Sequence, residues 1–168
     1  MNRQEAIRFL KAHQPLPSDE DMPEAVIREF DEIRKFFLQN PDEESIPLLL
    51  NSFGDGSGYG VYQLVEDVLL KHKKDVVLPH LLVALTSKHR GVRDWCAEIA
   101  VNFPHPDLIA PLATLLEQLD DIDSRFSAVS ALEEIEDPRA TTVLREALDR
   151  EPEEEIRELI EGILSQKR

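Results

Sequence analysis

Three prolines fall 32 residues apart in this chain, at Pro47, Pro79 and Pro111, and three arginines keep the same spacing at Arg93, Arg125 and Arg157. The acidic residue four before each proline recurs with them, as Glu43, Asp75 and Asp107. A fixed period of about 20–50 residues is the signature of a stacked-repeat architecture, in which each unit covers its apolar side only by packing on its neighbours. Such a chain offers surfaces rather than a single central pocket. Its function must be sought on a surface.

The copy from Lys74 to Phe103 shows the unit without insertion. Residues 75–85 form an apolar stretch with a proline one turn in, and residues 91–100 an amphipathic one with Arg93 in its first turn. Both read as helices, so the unit is a helical pair. Repeating it predicts units at about 42–73, 74–104, 105–137 and 138–166, with helices near 42–53, 60–72, 106–119 and 123–136 in the first and third. Asp123 or Ser124 is placed to cap the last of these, and Pro152 to open the final helix. Upstream, residues 2–13 and 22–39 carry helical spacing outside the 32-residue register, separated by Pro15-Leu16-Pro17, which breaks a helix. They are read as an N-terminal helical cap over residues 1–40, and residues 41–168 as one continuous repeat domain.

The balance of charge narrows the partners. The formal net charge is −15, and residues 91–168 hold 19 acids against 8 Lys or Arg, while the first 90 hold 15 against 11. Such a field repels phosphate backbones and draws basic molecules, so no nucleic acid is expected as a partner. The N-terminus lacks a basic segment followed by a long apolar run, and no apolar stretch is long enough to span a bilayer; a soluble, cytoplasmic protein with no membrane partner is expected. Cys96 is the single cysteine, which suits a reducing compartment and a small buried packing role.

Paired helices with a proline in the first and an arginine opening the second resemble HEAT-type repeats, including the shorter lyase-associated HEAT-like units, over about residues 42–166. Pro47, Pro79 and Pro111 stand where that family kinks its first helix. Arg93, Arg125 and Arg157 stand at its arginine position, where the side chain commonly pairs with acids of neighbouring turns. Val61 replaces the arginine in the first unit and Val143 the proline in the last. The resemblance implies an all-α fold, a right-handed α-solenoid of about four HEAT-like helical pairs behind the N-terminal cap, with the second helices lining a concave face. It implies no chemistry, since fold and function separate.

Sites for chemistry are weakly marked. Gly54-Asp55-Gly56-Ser57-Gly58-Tyr59-Gly60 follows a helix rather than a strand, lacks a Gly-Lys-Ser/Thr ending and carries an aspartate. It reads as a flexible turn between helices, with a partner-contacting loop through Tyr59 and Tyr62 as the alternative and an anion site as the weakest reading. His72, His80, His89 and His105 have no one-turn metal spacing, the serines no nucleophile setting, and the paired acids no sign of a dry pocket. No catalytic residue, metal or cofactor is expected.

The second helices remain. In 32-residue register, Tyr62, Asp94, Phe126 and Glu158 are equivalent, and Glu66, Glu98 and Ser130 follow one turn later, with Asn102 and Glu134 one turn beyond. If these columns face the concave side they form an acidic surface with aromatic anchors, with Trp95 either in it or packed between units. The candidate partner-binding residues are therefore Tyr59, Tyr62, Glu66, Asp94, Trp95, Glu98, Asn102, Phe126, Ser130 and Glu134. The expected function is a non-enzymatic protein-binding module that takes a basic protein. A small acidic chain of this type resembles some bacterial immunity proteins, which neutralise a cognate toxin, often a basic nuclease. The alternatives are a HEAT-like enzyme such as a bilin lyase, or a general scaffold or adaptor subunit.

Overall fold

The computed structural model describes residues 1–167. Among these the regular structure is entirely helical: ten α-helices and two short 3₁₀ turns, with no strand. The chain divides into two compact units, Met1–Cys96 and Ala97–Arg168, and the division falls inside one helix.

In the first unit, α1 (Arg3–Ala12), α3 (Ser45–Leu50) and α5 (Lys74–Ala84) pack in succession, while α2 (Glu24–Gln39) packs on α4 (Val65–Leu69). First helices lie on first helices and second on second. The N-terminal pair, although outside the 32-residue register, joins this arrangement through α1 on α3 and α2 on α4. Local sequence accounts for the elements. Asn2 accepts a hydrogen bond from the Glu5 N–H at 3.0 Å while the Glu5 carboxylate accepts from the Asn2 N–H at 2.9 Å, a reciprocal cap that satisfies two donors at the start of α1. In α2, Ile27, Phe30, Ile33 and Phe37 recur on one side and are buried. Helix α6 (Arg90–Ala100) follows and carries the division between the units.

In the second unit, α7 (Ile109–Leu116), α8 (Ile122–Glu133), α9 (Pro138–Leu148) and α10 (Glu154–Gln166) repeat the pattern: α7 packs on α8 and α9, and α10 on α9 and α8. The cap of α8 is Asp121, two residues before the expected position, accepting from the Ser124 N–H at 3.2 Å and the Ser124 hydroxyl at 2.9 Å. Pro138 opens α9, but Pro152 stands ahead of α10, which begins at Glu154 behind Glu153. At α9 the cap is Asp137, whose carboxyl is pulled down from 3.8 to about 2 by the Arg139 side chain and then by the Arg139 N–H. Because the folded value lies below the unfolded one, this cap contributes fully above the unfolded pKa and is lost as pH falls through about 2. A carboxyl carbon titration by NMR is expected to show the Asp137 midpoint well below that of an unfolded aspartate.

The prolines behave differently from one another. Pro79 lies inside α5, where it cannot bond the carbonyl four residues earlier. Pro47 and Pro111 occupy the third position of α3 and α7, where a backbone N–H has no partner within the helix. Of the three prolines, only Pro79 therefore stands in the interior of its helix. The short α3, ending at Asn51, and α4, preceded by a 3₁₀ turn over Tyr62–Leu64, also replace the longer helices predicted over 42–53 and 60–72.

Candidate functional site

The glycine segment is held in place rather than being a loose turn. The Asp19 carboxylate, from the connection between α1 and α2, accepts from the Ser57 N–H and the Gly58 N–H, both at 2.8 Å, and from the Ser57 hydroxyl at 3.2 Å. The Asp19 N–H donates to the Asp55 carbonyl at 3.0 Å, and the Tyr59 hydroxyl donates to the Asp19 carbonyl at 2.8 Å. The amides of this segment do converge on an anion, and the anion is the chain's own aspartate. Two glycines are fixed by close approach: a Cβ on Gly91 would lie 2.1 Å from the Gly54 carbonyl oxygen, and one on Gly54 would lie 2.4 Å from that of Pro17. Helix α6 therefore starts directly against this segment, with the Gly91 N–H donating to the Asp55 carboxylate at 3.0 Å. Asp19→Ala removes three charge-assisted bonds from a half-buried position. It is expected to cost about 2 kcal/mol and to speed amide exchange at Ser57 and Gly58, read by denaturation and hydrogen exchange.

Tyr62 corrects the surface reading. It is fully buried, its hydroxyl accepts from the Gly54 N–H at 3.2 Å, and its ring meets Phe30, Phe53 and Trp95 edge to face, with centroids 5.3–5.9 Å apart. Burial pushes its phenol up to about 12. Tyr62 lies in the 3₁₀ turn that precedes the short α4, and there the position equivalent to Asp94 is core. Trp95 shares this cluster, stacking on Phe53, and its indole N–H donates to the Gly56 carbonyl at 2.9 Å. It holds the glycine segment while keeping part of its ring in solvent.

The recurring arginines have a common task. An Nη of Arg93 donates to the Ser87 carbonyl at 2.9 Å, of Arg125 to the Leu119 carbonyl at 3.2 Å, and of Arg157 to the Glu151 carbonyl at 3.1 Å. Donor and acceptor are six residues apart each time, so the arginine ties down the turn between the two helices of its own pair. In the first pair Val61 occupies the arginine position, and the Asp19 contacts hold the turn instead. Arg125 goes further. It is fully buried and forms an ion pair with the buried carboxylate of Glu151.

The second unit exposes apolar side chains beside acids. Leu119, in the turn before α8, is 52% exposed, and Ile122 and Phe126, one turn apart on α8, are 48% and 47% exposed. The exposed side chains of α10 include Glu154, Glu155, Glu158 and Glu161. A groove of about 340 Å³ opens where the ends of α7 and α9 meet, lined by Leu116, Glu117, Leu119, Ala147, Arg150 and Glu151.

A sequence profile of HEAT repeats matches residues 78–164, which is more than half of the chain. The chain belongs to the HEAT-repeat family. No curated protein matches it. HEAT repeats are protein-interaction scaffolds, and the two-row helical packing is that of a HEAT α-solenoid.

Within this HEAT framework the predicted partner-binding residues separate into two sets. In the first unit Tyr59 is 65% exposed with its hydroxyl bonded to Asp19, Tyr62 is core, and Glu66 is half-buried with its carboxyl raised by burial and by Asp67. Asp94 is half-buried beside Arg90 at 3.4 Å, and Trp95 is engaged as described. In the second unit Glu98 and Glu134 are exposed and Asn102 and Ser130 half-buried, the Ser130 hydroxyl donating to the Phe126 carbonyl at 3.2 Å. Phe126, Ser130 and Glu134 follow one another along α8 and its end, so the structure brings these three together. Leu119, Ile122 and Asp19 were missed by the sequence reading. Register holds the signal for the first: Ser87 and Glu151 are polar at the equivalent turn position, and Leu119 is not.

Among the described residues no group of three or more His, Cys, Asp or Glu is placed to hold a metal ion, and no helix is long and apolar enough to cross a membrane. Cys96 is fully buried, and burial drives its thiol pKa far up. It is expected to resist a thiol reagent in the folded protein and to react at once in denaturant, as mass spectrometry of the labelled chain would read.

Proposed function

We propose that this HEAT-repeat chain is a non-enzymatic scaffold that binds a basic protein through the acidic surface of its second helices, and that the partner is a toxin domain which the chain neutralises as an immunity protein. The observation that supports the reading is the pairing of half-exposed Ile122 and Phe126 on α8 with exposed acids and few cations on α10. Apolar anchors inside a charged rim suit a protein interface, and a negative field accelerates encounter with a positive partner. A nuclease presents such a positive surface where it would grip nucleic acid, and an acidic protein covers it by charge complementarity. The partner-facing residues on this reading are Glu98, Asn102, Phe126, Ser130 and Glu134, with Tyr59, Glu66, Asp94 and the exposed edge of Trp95 in the first unit.

Co-expression tests the specific form. Cells producing a basic toxin domain that this chain binds are expected to survive only when the chain is produced with it. Equal killing with and without the chain would remove the immunity reading and leave the scaffold.

A further inference from the structure

We propose that the groove between the ends of α7 and α9 is a docking site for a basic segment of a partner protein that inserts one large apolar side chain between Leu116, Leu119 and Ala147. The proposal rests on the basic-partner reading above and adds a second place of contact, at the edge of the helical pairs rather than along the second helices. Three observations carry it. The first is room: about 340 Å³ accommodates an aromatic or leucine side chain. The second is an unusual apolar residue, because Leu119 lines the groove, is 52% exposed, and stands at a turn position that is Ser87 and Glu151 in the adjoining copies. The third is charge. The two segments that form its walls, 116–123 and 146–153, carry eight acids and one Lys or Arg, and with Asp121 and Glu151 buried six of the acids remain outside the core. That one cation, Arg150, donates its Nε–H to the Glu146 carbonyl at 3.2 Å at the end of α9.

The floor of the groove is built rather than incidental. Glu151 lines it and is nearly fully buried, its carboxylate held by Arg125 and by the Glu153 N–H at 3.0 Å. The Arg125 guanidinium also holds the Leu119 carbonyl, so the buried pair sets the position of the side chain that forms the groove's wall. Glu117 is the exposed carboxylate of the lining, and the segments on either side of the groove also carry the exposed acids Asp120, Asp123, Glu146 and Asp149, which favours lysine or arginine next to the anchor in the partner.

The test uses two synthetic twelve-residue probes, one of alternating lysine and serine with a central tryptophan and one with glycine in its place, titrated into the full chain by calorimetry. The tryptophan probe is expected to bind at least tenfold more tightly, to perturb the NMR signals of Leu116, Leu119 and Ala147, and to lose that advantage in Leu119→Ser. Since Leu119 is half exposed, the variant is expected to melt close to wild type, and the perturbation map on the wild-type chain stands even if it does not. Equal affinity for the two probes would overturn the groove while leaving a basic partner in place; no binding of either would count against both. Concentration-dependent dimerisation that Leu119→Ser abolishes would assign the groove to a second copy of this chain and overturn the proposal.

Discussion

Glu151→Leu is expected to lower the stability of the second unit by about 3–5 kcal/mol, whereas the double variant R125M/E151L recovers most of that loss. Arg125 is fully buried and Glu151 nearly so. Taking two charges out of water is costly, and their mutual attraction repays that cost only while both remain. Loss of Glu151 leaves a buried guanidinium with the Leu119 carbonyl at 3.2 Å as its remaining partner, and its Nε already has none. Replacing both groups with apolar side chains removes the buried charge itself. Recovery is expected to be incomplete for two reasons: the Glu153 N–H loses its carboxylate acceptor, and the Leu119 carbonyl loses its donor. Urea denaturation of the three proteins reads the difference, and a single variant as stable as wild type would mean that the pair is not desolvated.

The second large effect belongs to the first unit. Tyr62→Ala is expected to cost about 3–5 kcal/mol, because it empties a fully buried aromatic site between Phe30, Phe53 and Trp95. Tyr62→Phe keeps the ring and loses one hydrogen bond, that from the Gly54 N–H, so about 1 kcal/mol is expected. Trp95 reports on this unit directly, being the single tryptophan and in ring contact with Tyr62. Its emission is expected to shift red in Tyr62→Ala before any denaturant is added. An unchanged spectrum with unchanged stability would place Tyr62 on the surface, where the periodicity of the sequence had put it.

What could be read from the sequence was whatever the repeat carries. The 32-residue period predicted helical pairs, and the helical structure and the HEAT match over residues 78–164 agree. The arginine positions were legible for the same reason, though not their bonds: Arg93, Arg125 and Arg157 hold turn carbonyls six residues back, a geometry that depends on the turn's path and not on residue type. The candidate site was less legible because it lies where copies differ. Tyr62 shared a register column with Asp94 and Phe126, but α4 is short and begins in a 3₁₀ turn, so its column rotates inward. The glycine segment looked loose because its acceptor, Asp19, is 38 residues away from Ser57 and outside the repeat register. Leu119 fell at the end of the helix expected over 106–119, and only the fold shows that it lies beyond α7 and walls a groove.

The central claim is that an acidic HEAT surface binds a basic protein, and the salt dependence of that binding tests it most directly. The partner recovered by crosslinking in the native host and identified by mass spectrometry would be titrated with the purified chain from about 50 mM to about 500 mM salt, a range over which exposed charges become screened. A net positive partner whose affinity falls steadily across that range is the predicted result. An acidic or neutral partner, or an affinity that does not change with salt, would contradict it.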